Sequence, residues 1–124
     1  MRFAALALLL GIAASASAQD WALRQGDVPL TARELDAFAH GVTLTYRDEG
    51  TAKFSAGGSY SYTYGHGGGV SFGNFEVKKD GRVCINFRVG RDRCDLYVRR
   101  NGVVVMLSET GEHFPVRVHF GLKR

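Results

Sequence analysis

From Val42 to Phe120 apolar and polar residues alternate in short runs, the period of two that marks half-buried strands. The runs predict strands near 42–46, 52–56, 59–64, 70–79, 82–88, 94–99, 103–108 and 114–120. Between them stand Asp48-Glu49-Gly50, Gly57-Gly58, Gly65 to Gly69, Asp80-Gly81, Val89 to Arg93, Asn101-Gly102 and Glu109 to Glu112. Asp80-Gly81 and Asn101-Gly102 are the sharpest turn signals, because a two-residue hairpin turn takes positive φ at both positions. Connections this short exclude parallel crossovers, which are far longer. The expected fold is all-β: an eight-stranded antiparallel meander closing into a small barrel, with a two-sheet sandwich as the alternative.

Ahead of the strands the period changes. Thr31 followed by Glu34 is a capping box, Leu30 and Leu35 stand at the positions of a hydrophobic staple, and Gly41 is a helix stop. One short N-terminal helix is predicted over about 31–40, turning Leu35, Phe38 and Ala39 toward the sheet. Trp21 to Asp27 reads as an extended lead-in.

The alternation also assigns faces. Phe114, Val116, Val118 and Phe120 share one side, with Arg117 and His119 opposite. A two-residue turn at Asn101-Gly102 sets Val98 against Val105 and Leu96 against Leu107. One conflict remains. If Cys84 and Cys94 oppose each other, Cys84 and Asn86 share the face of Leu96 and Val98, which turns Val83, Ile85 and Phe87 the other way. Either a bulge intervenes or both faces are covered.

The N-terminus changes the picture of where this domain works. Arg2, the apolar run from Phe3 to Ala14, and Ala16-Ser17-Ala18 form a secretory signal peptide over 1–18. Cleavage after Ala18 leaves one domain, 19–124, in the periplasm or outside the cell. The apolar run is shorter than the ~20 residues that span a bilayer, and no transmembrane segment is expected in the mature chain. In that compartment the only two cysteines, Cys84 and Cys94, are expected to form one disulfide. The formal charge is +4, unevenly placed: residues 19–74 carry four basic and six acidic side chains, and 75–124 carry eleven and six. A basic half can face an acidic surface, or serve as a solvated sheet edge that resists aggregation.

Candidate chemistry is sparse. His66-Gly67-Gly68-Gly69 resembles an oxyanion-hole loop, and Gly69-Val70-Ser71-Phe72-Gly73 fits a nucleophile elbow. The elbow requires a strand–turn–helix in a large α/β sheet, so both strings read as one hairpin loop that needs positive φ. His40, His66, His113 and His119 show no metal spacing, and no carboxylate pair stands out for acid–base work. No catalytic residue, cofactor or metal site is expected, and the chain reads as a non-enzyme. Tyr60, Tyr62 and Tyr64 line one face of one strand, either as core or as an outward aromatic row. Arg88, Arg91 and Arg93 share the 88–93 loop, where they could grip an anion. These six residues with His66 are the candidate binding set. Aromatic interleaving is poor for a nucleic-acid sheet, and nucleic acid is not an expected partner.

Pro29 to Glu34, Gly41, Asp80 to Ile85, Cys94, and Tyr97 with Gly102 give a pattern that resembles a set of small exported proteobacterial β-meander proteins. That resemblance implies a signal peptide, a capped helix and one disulfide, and no activity. Ser55-Ala56-Gly57-Gly58-Ser59-Tyr60 is similar to the target-binding loop of periplasmic lysozyme-inhibitor barrels, with Gly displaced by one position. Metalloprotease-inhibitor barrels are similar in size and single disulfide, although Trp21 here has no nearby Cys. These likenesses imply a rigid barrel presenting loops to a protein. The expected function is an exported binding domain that offers loops 55–59 and 65–69 and the Tyr60/62/64 strand to a protein or cell-envelope glycan. The alternative is a lipocalin-like carrier holding a small apolar molecule inside the barrel.

Overall fold

The computed structural model describes residues 21–120, so the signal-peptide expectation lies outside the described residues. The elements in chain order are β1 (Val28–Pro29), α1 (Ala32–Asp36), β2 (Val42–Tyr46), β3 (Thr51–Phe54), β4 (Ser59–Thr63) and β5 (Val70–Val77). They continue with β6 (Val83–Phe87), β7 (Arg93–Arg100), β8 (Val103–Leu107) and β9 (His113–Phe120). Strands β2 to β9 pair antiparallel in sequence order, and β9 returns to pair with β2 from Val42↔Phe120 to Tyr46↔Val116. The result is a closed eight-stranded up-and-down barrel. Closure satisfies the backbone edges that an open meander leaves exposed.

Strand β7 changes partners along its length. Arg93 to Asp95 pair with β6, whereas Leu96 to Arg100 pair with β8. Where β6 leaves, β1 takes over that edge through Val28↔Arg99 and Pro29↔Val98. The sequence reading stopped its extended lead-in at Asp27 and missed this two-residue strand, which has no alternation to betray it.

The helix is capped as its sequence dictates. The Glu34 amide donates to Thr31 Oγ1 at 3.1 Å, and the Thr31 amide donates to Glu34 Oε1 at 2.9 Å. After Asp36 the chain tightens into a 3-10 turn, Ala37–His40, ending at Gly41 with φ 111°. Leu35 and Phe38 are buried, and Phe38 packs edge-on to Phe54 at 4.9 Å and against Tyr97 at 5.0 Å. Ala39 is exposed, contrary to expectation. The 3-10 turn advances three residues per turn and carries Ala39 past the face that Leu35 and Phe38 share. Helix and turn together plug the barrel end that carries the β3–β4, β5–β6 and β7–β8 connections.

Register resolves the cysteine conflict. Cys84 lies directly opposite Cys94 and is bonded to it. The pair points outward with Leu96 and Val98, while Val83, Ile85, Arg93, Asp95 and Tyr97 point inward. Both faces are covered: Leu96, Val98, Val105 and Leu107 form an outer cluster on which Trp21 packs. At Asn101-Gly102 both residues have positive φ, 50° and 80°, as the two-residue turn demands. The Asp80-Gly81 turn is different. Only Gly81 has positive φ, and the loop spans Lys78 to Arg82, closed by Lys78 N–H to Arg82 O. The Asp80 carboxylate accepts from the Arg82 amide at 3.1 Å, which holds Asp80 out of the left-handed region.

Candidate functional site

Because consecutive hairpins alternate between barrel ends, the 47–50, 64–69, 88–92 and 108–112 connections all lie at the end opposite α1. Among the described residues no α-helix covers that end, which carries only the short 3-10 turn Gly65–Gly67. It opens into a cavity of about 570 Å³ lined by Tyr46, Tyr62 and Tyr64 on one wall, Phe87, Arg93 and Met106 below, and Phe114 opposite. Arg47, Asp48, Glu112 and His113 stand at its rim.

The tyrosine row faces inward and grades from core to mouth. Tyr60 is 2% exposed, its ring 5.0 Å from Phe54 and 5.7 Å from Phe87. Tyr62 is half-buried, 5.7 Å from Tyr46 and 4.9 Å from Tyr64, and Tyr64 is half exposed at the rim. Gly50 makes room for this arrangement, since a Cβ there would strike the Tyr62 hydroxyl. Gly65 does the same for the neighbouring loop, which lies against the Asp48 carbonyl.

The three loop arginines do not act as one grip. Arg88 is exposed on the outer wall with its guanidinium 5.4 Å from the Phe72 ring centre, and Arg91 is exposed in the loop. Only Arg93 enters the barrel. Alternate residues of a strand face opposite sides, and the outward Cys94 fixes Arg93 and Asp95 inside. Arg99 and Arg100 lie at the other end, where they pair with Glu34 and with Asp27. His66 is exposed in the open-end loop with φ 59°, and Ser71 sits within β5 opposite Tyr62, with no strand-to-helix turn around it.

Arg93 Nε donates to Asp95 Oδ2 at 3.0 Å, and its guanidinium lies 5.6 Å from the Phe87 ring centre. Asp95 is fully buried, and its Oδ1 has no hydrogen-bond partner among the described residues. Nor do the buried Tyr60 and Tyr97 hydroxyls. Tyr46 Oη donates to Met106 Sδ at 3.1 Å. Burial pushes the Asp95 carboxyl up to about 6, with Arg93 pulling it back and Glu109 adding to the rise. Burial works against the Arg93 charge, but the Asp95 carboxylate and its hydrogen bond outweigh it and hold the guanidinium firmly protonated. Burial also raises Tyr46 and Tyr97, and raises Tyr60 to about 12. The interior is therefore an aromatic shell around one ion pair, with polar atoms left unsaturated beside it.

A groove of about 650 Å³ lies on the outside between α1 and the β5–β6 hairpin. Its charged rim is partly committed already, Asp80 to Arg82, and among the described residues no unpartnered buried polar atom lines it. Among the described residues no group of three or more His, Cys, Asp or Glu could hold a metal ion. No helix among them is long and apolar enough to cross a membrane.

Sequence reasoning missed Tyr46, Phe87, Asp95, Met106 and Phe114. The signal was present in the cysteine conflict: a direct Cys84–Cys94 pair forces Arg93 and Asp95 to the other face, together with Val83 and Ile85. No protein-family model, curated protein or solved structure matches this chain.

Proposed function

We propose that this chain is an exported binding barrel that takes a small molecule in its open end. The observation that carries this reading is the inward tyrosine row, which with Phe87 and Phe114 walls a cavity around one inward arginine. Its volume lies in the range of small-molecule sites, which are mostly apolar with a few fixed polar groups. The opposite end is plugged by α1, so the site has a floor. The disulfide supports export, because such bonds persist in oxidising compartments.

The test is native mass spectrometry of the full chain purified gently from its own cells. An added small mass that leaves on denaturation, and that is lost in Phe114→Ala, is the expected result. A bare mass, together with no thermal shift across a panel of small amphiphiles, would overturn the reading.

A second reading has its own observation. On the outer wall Val70 and Phe72 are exposed, and Arg88 lies over Phe72. An exposed aromatic–arginine pair is a common anchor for a protein or glycan partner. Loops 55–59 and 65–69 lie at opposite barrel ends, so they offer a partner no common surface. Phe72→Ser should abolish capture of an envelope partner and leave the interior site unchanged.

A further inference from the structure

Resting on that small-molecule reading, we propose that the ligand is an amphiphilic acid, a single carboxylate on an aliphatic or aromatic body. Its carboxylate is received by the two terminal nitrogens of Arg93. Arg93 donates to Asp95 through Nε, and the Tyr60 hydroxyl approaches the same guanidinium without a well-formed hydrogen bond. The side chain is 36% exposed and reachable from the mouth. Phe87 on one side and Asp95 on the other hold the guanidinium plane, so the donor fork is set before a ligand arrives. Carboxylates match that fork with two parallel hydrogen bonds.

The walls select the rest of the molecule. Tyr46, Tyr62 and Phe114 present ring edges and faces to an apolar body, with Tyr46 and Phe114 6.4 Å apart. Arg93 repels a cation. At the rim Asp48 and Glu112 offset Arg47, so the mouth offers a second anionic group no net attraction. One anion, with its charge at the deep end, is what remains.

Asp95 then becomes the partner in a shared site. A second carboxylate on Arg93 raises the cost of keeping Asp95 ionised. The groups that face it are Arg93 and Tyr97 on β7, Tyr46 on β2, Tyr60 on β4, and Glu109 from the β8–β9 turn. None but Arg93 is a cation. Binding is therefore accompanied by proton uptake on Asp95, and affinity increases as pH falls toward the titration of that carboxyl.

Isothermal titration of the full chain with decanoate, decanol and decyltrimethylammonium tests this. Decanoate should bind about tenfold or more tighter than decanol, the scale of one charge-assisted hydrogen-bond pair, and the ammonium more weakly than either. Arg93→Lys should lower the decanoate preference several-fold. Arg93→Met alone strands Asp95, so the double variant Arg93→Met/Asp95→Asn removes both charges. With its NMR spectrum showing an intact barrel, it should bind decanol and decanoate alike. Titrations at pH 7 in two buffers of different ionisation enthalpy should show proton uptake with decanoate that vanishes in Asp95→Asn. Uptake that persists there belongs to another group and overturns the Asp95 coupling. Equal binding of decanoate and decanol by the unaltered protein overturns the ligand class and leaves the mouth as a binding site. Failure of all three probes and of the amphiphile panel overturns the small-molecule reading itself.

Discussion

Truncating the tyrosines of β4 one at a time separates an inward row from an outward one. Tyr60 is 2% exposed, in contact with Phe54 and Phe87, and directly opposite Gly73 in the ladder. Gly73 has no side chain to move into a vacated space, so Tyr60→Ala leaves an unfilled cavity. Large aromatic truncations in cores cost about 3–5 kcal/mol, and this site belongs at the upper end. For a domain of this size each kcal/mol shifts the melting temperature by about 4–8 °C, so a loss of about 20 °C is expected. Tyr64 is 50% exposed at the rim, and Tyr64→Ala should change stability by less than about 1 kcal/mol. Tyr60→Phe is the control. Its hydroxyl is buried without a partner, so removing it should be neutral or stabilising. Thermal unfolding followed by circular dichroism reads all three. A Tyr60→Ala melting temperature within a few degrees of the unaltered protein, or a Tyr64→Ala loss as large as that of Tyr60→Ala, would refute the inward assignment.

Stability should depend on pH through Asp95, whose folded value near 6 lies above its unfolded value of 3.8. Between those values the folded chain binds more protons than the unfolded one, so stability falls as pH rises from ~4 to ~6, by about 3 kcal/mol. Asp27, Asp80 and Glu34 act in the opposite sense. Burial opposes the charge of Asp27 and Asp80, but hydrogen bonds and nearby arginines outweigh it; for Glu34 the Thr31 amide leads. Their contribution is present above the unfolded values near 4 and is lost below them. Urea midpoints should rise from pH 7 to pH 5 and fall below pH 4, and Asp95→Asn should flatten the upper limb; a midpoint level from pH 7 to 5 in the unaltered chain would count against it. Replacing both Cys84 and Cys94 with Ala should lower stability by somewhat under ~3 kcal/mol in urea titration, the chain-entropy value for so short a loop. Phe38→Ala should cost about 3–5 kcal/mol by the same assay, yet leave decanoate affinity unchanged below its melting transition, because the plug lies at the opposite end from Arg93.

How much was legible depends on the range of the interaction. The capping box at Thr31 and Glu34, the turn at Asn101-Gly102 and the Val98↔Val105 and Leu96↔Leu107 register are local, and each is written in adjacent residues. Asp80-Gly81 misled because the Asp80 side chain bonds the Arg82 amide, and that local competitor imposes a longer loop. Ala39 misled because the helix tightened where a uniform period was assumed.

The sequence by itself determined the eight barrel strands, most turns, the capped helix and the expectation of one disulfide, while the register that sets the two cysteines directly opposite each other came from the sheet. Alternation divides a strand into two faces, but it does not say which is interior, and in β7 it points the wrong way: Leu96 and Val98 turn outward, while the charged Arg93 and Asp95 share the inward face of Tyr97. Only closure decided that. Pairing β2 with β9 joins the first and last strands of the meander, and it encloses one face of every barrel strand. That enclosure put the tyrosine row and the Arg93–Asp95 pair inside and left Cys84, Cys94, Leu96 and Val98 outside beneath Trp21. The alternation of hairpins then gathered Tyr62, Tyr64, His66, Arg88, Arg91 and Arg93 at one end, while parity within each strand chose which of them look into the barrel. A site assembled from six strands is a property of the closed sheet, because no segment short enough to read locally contains it.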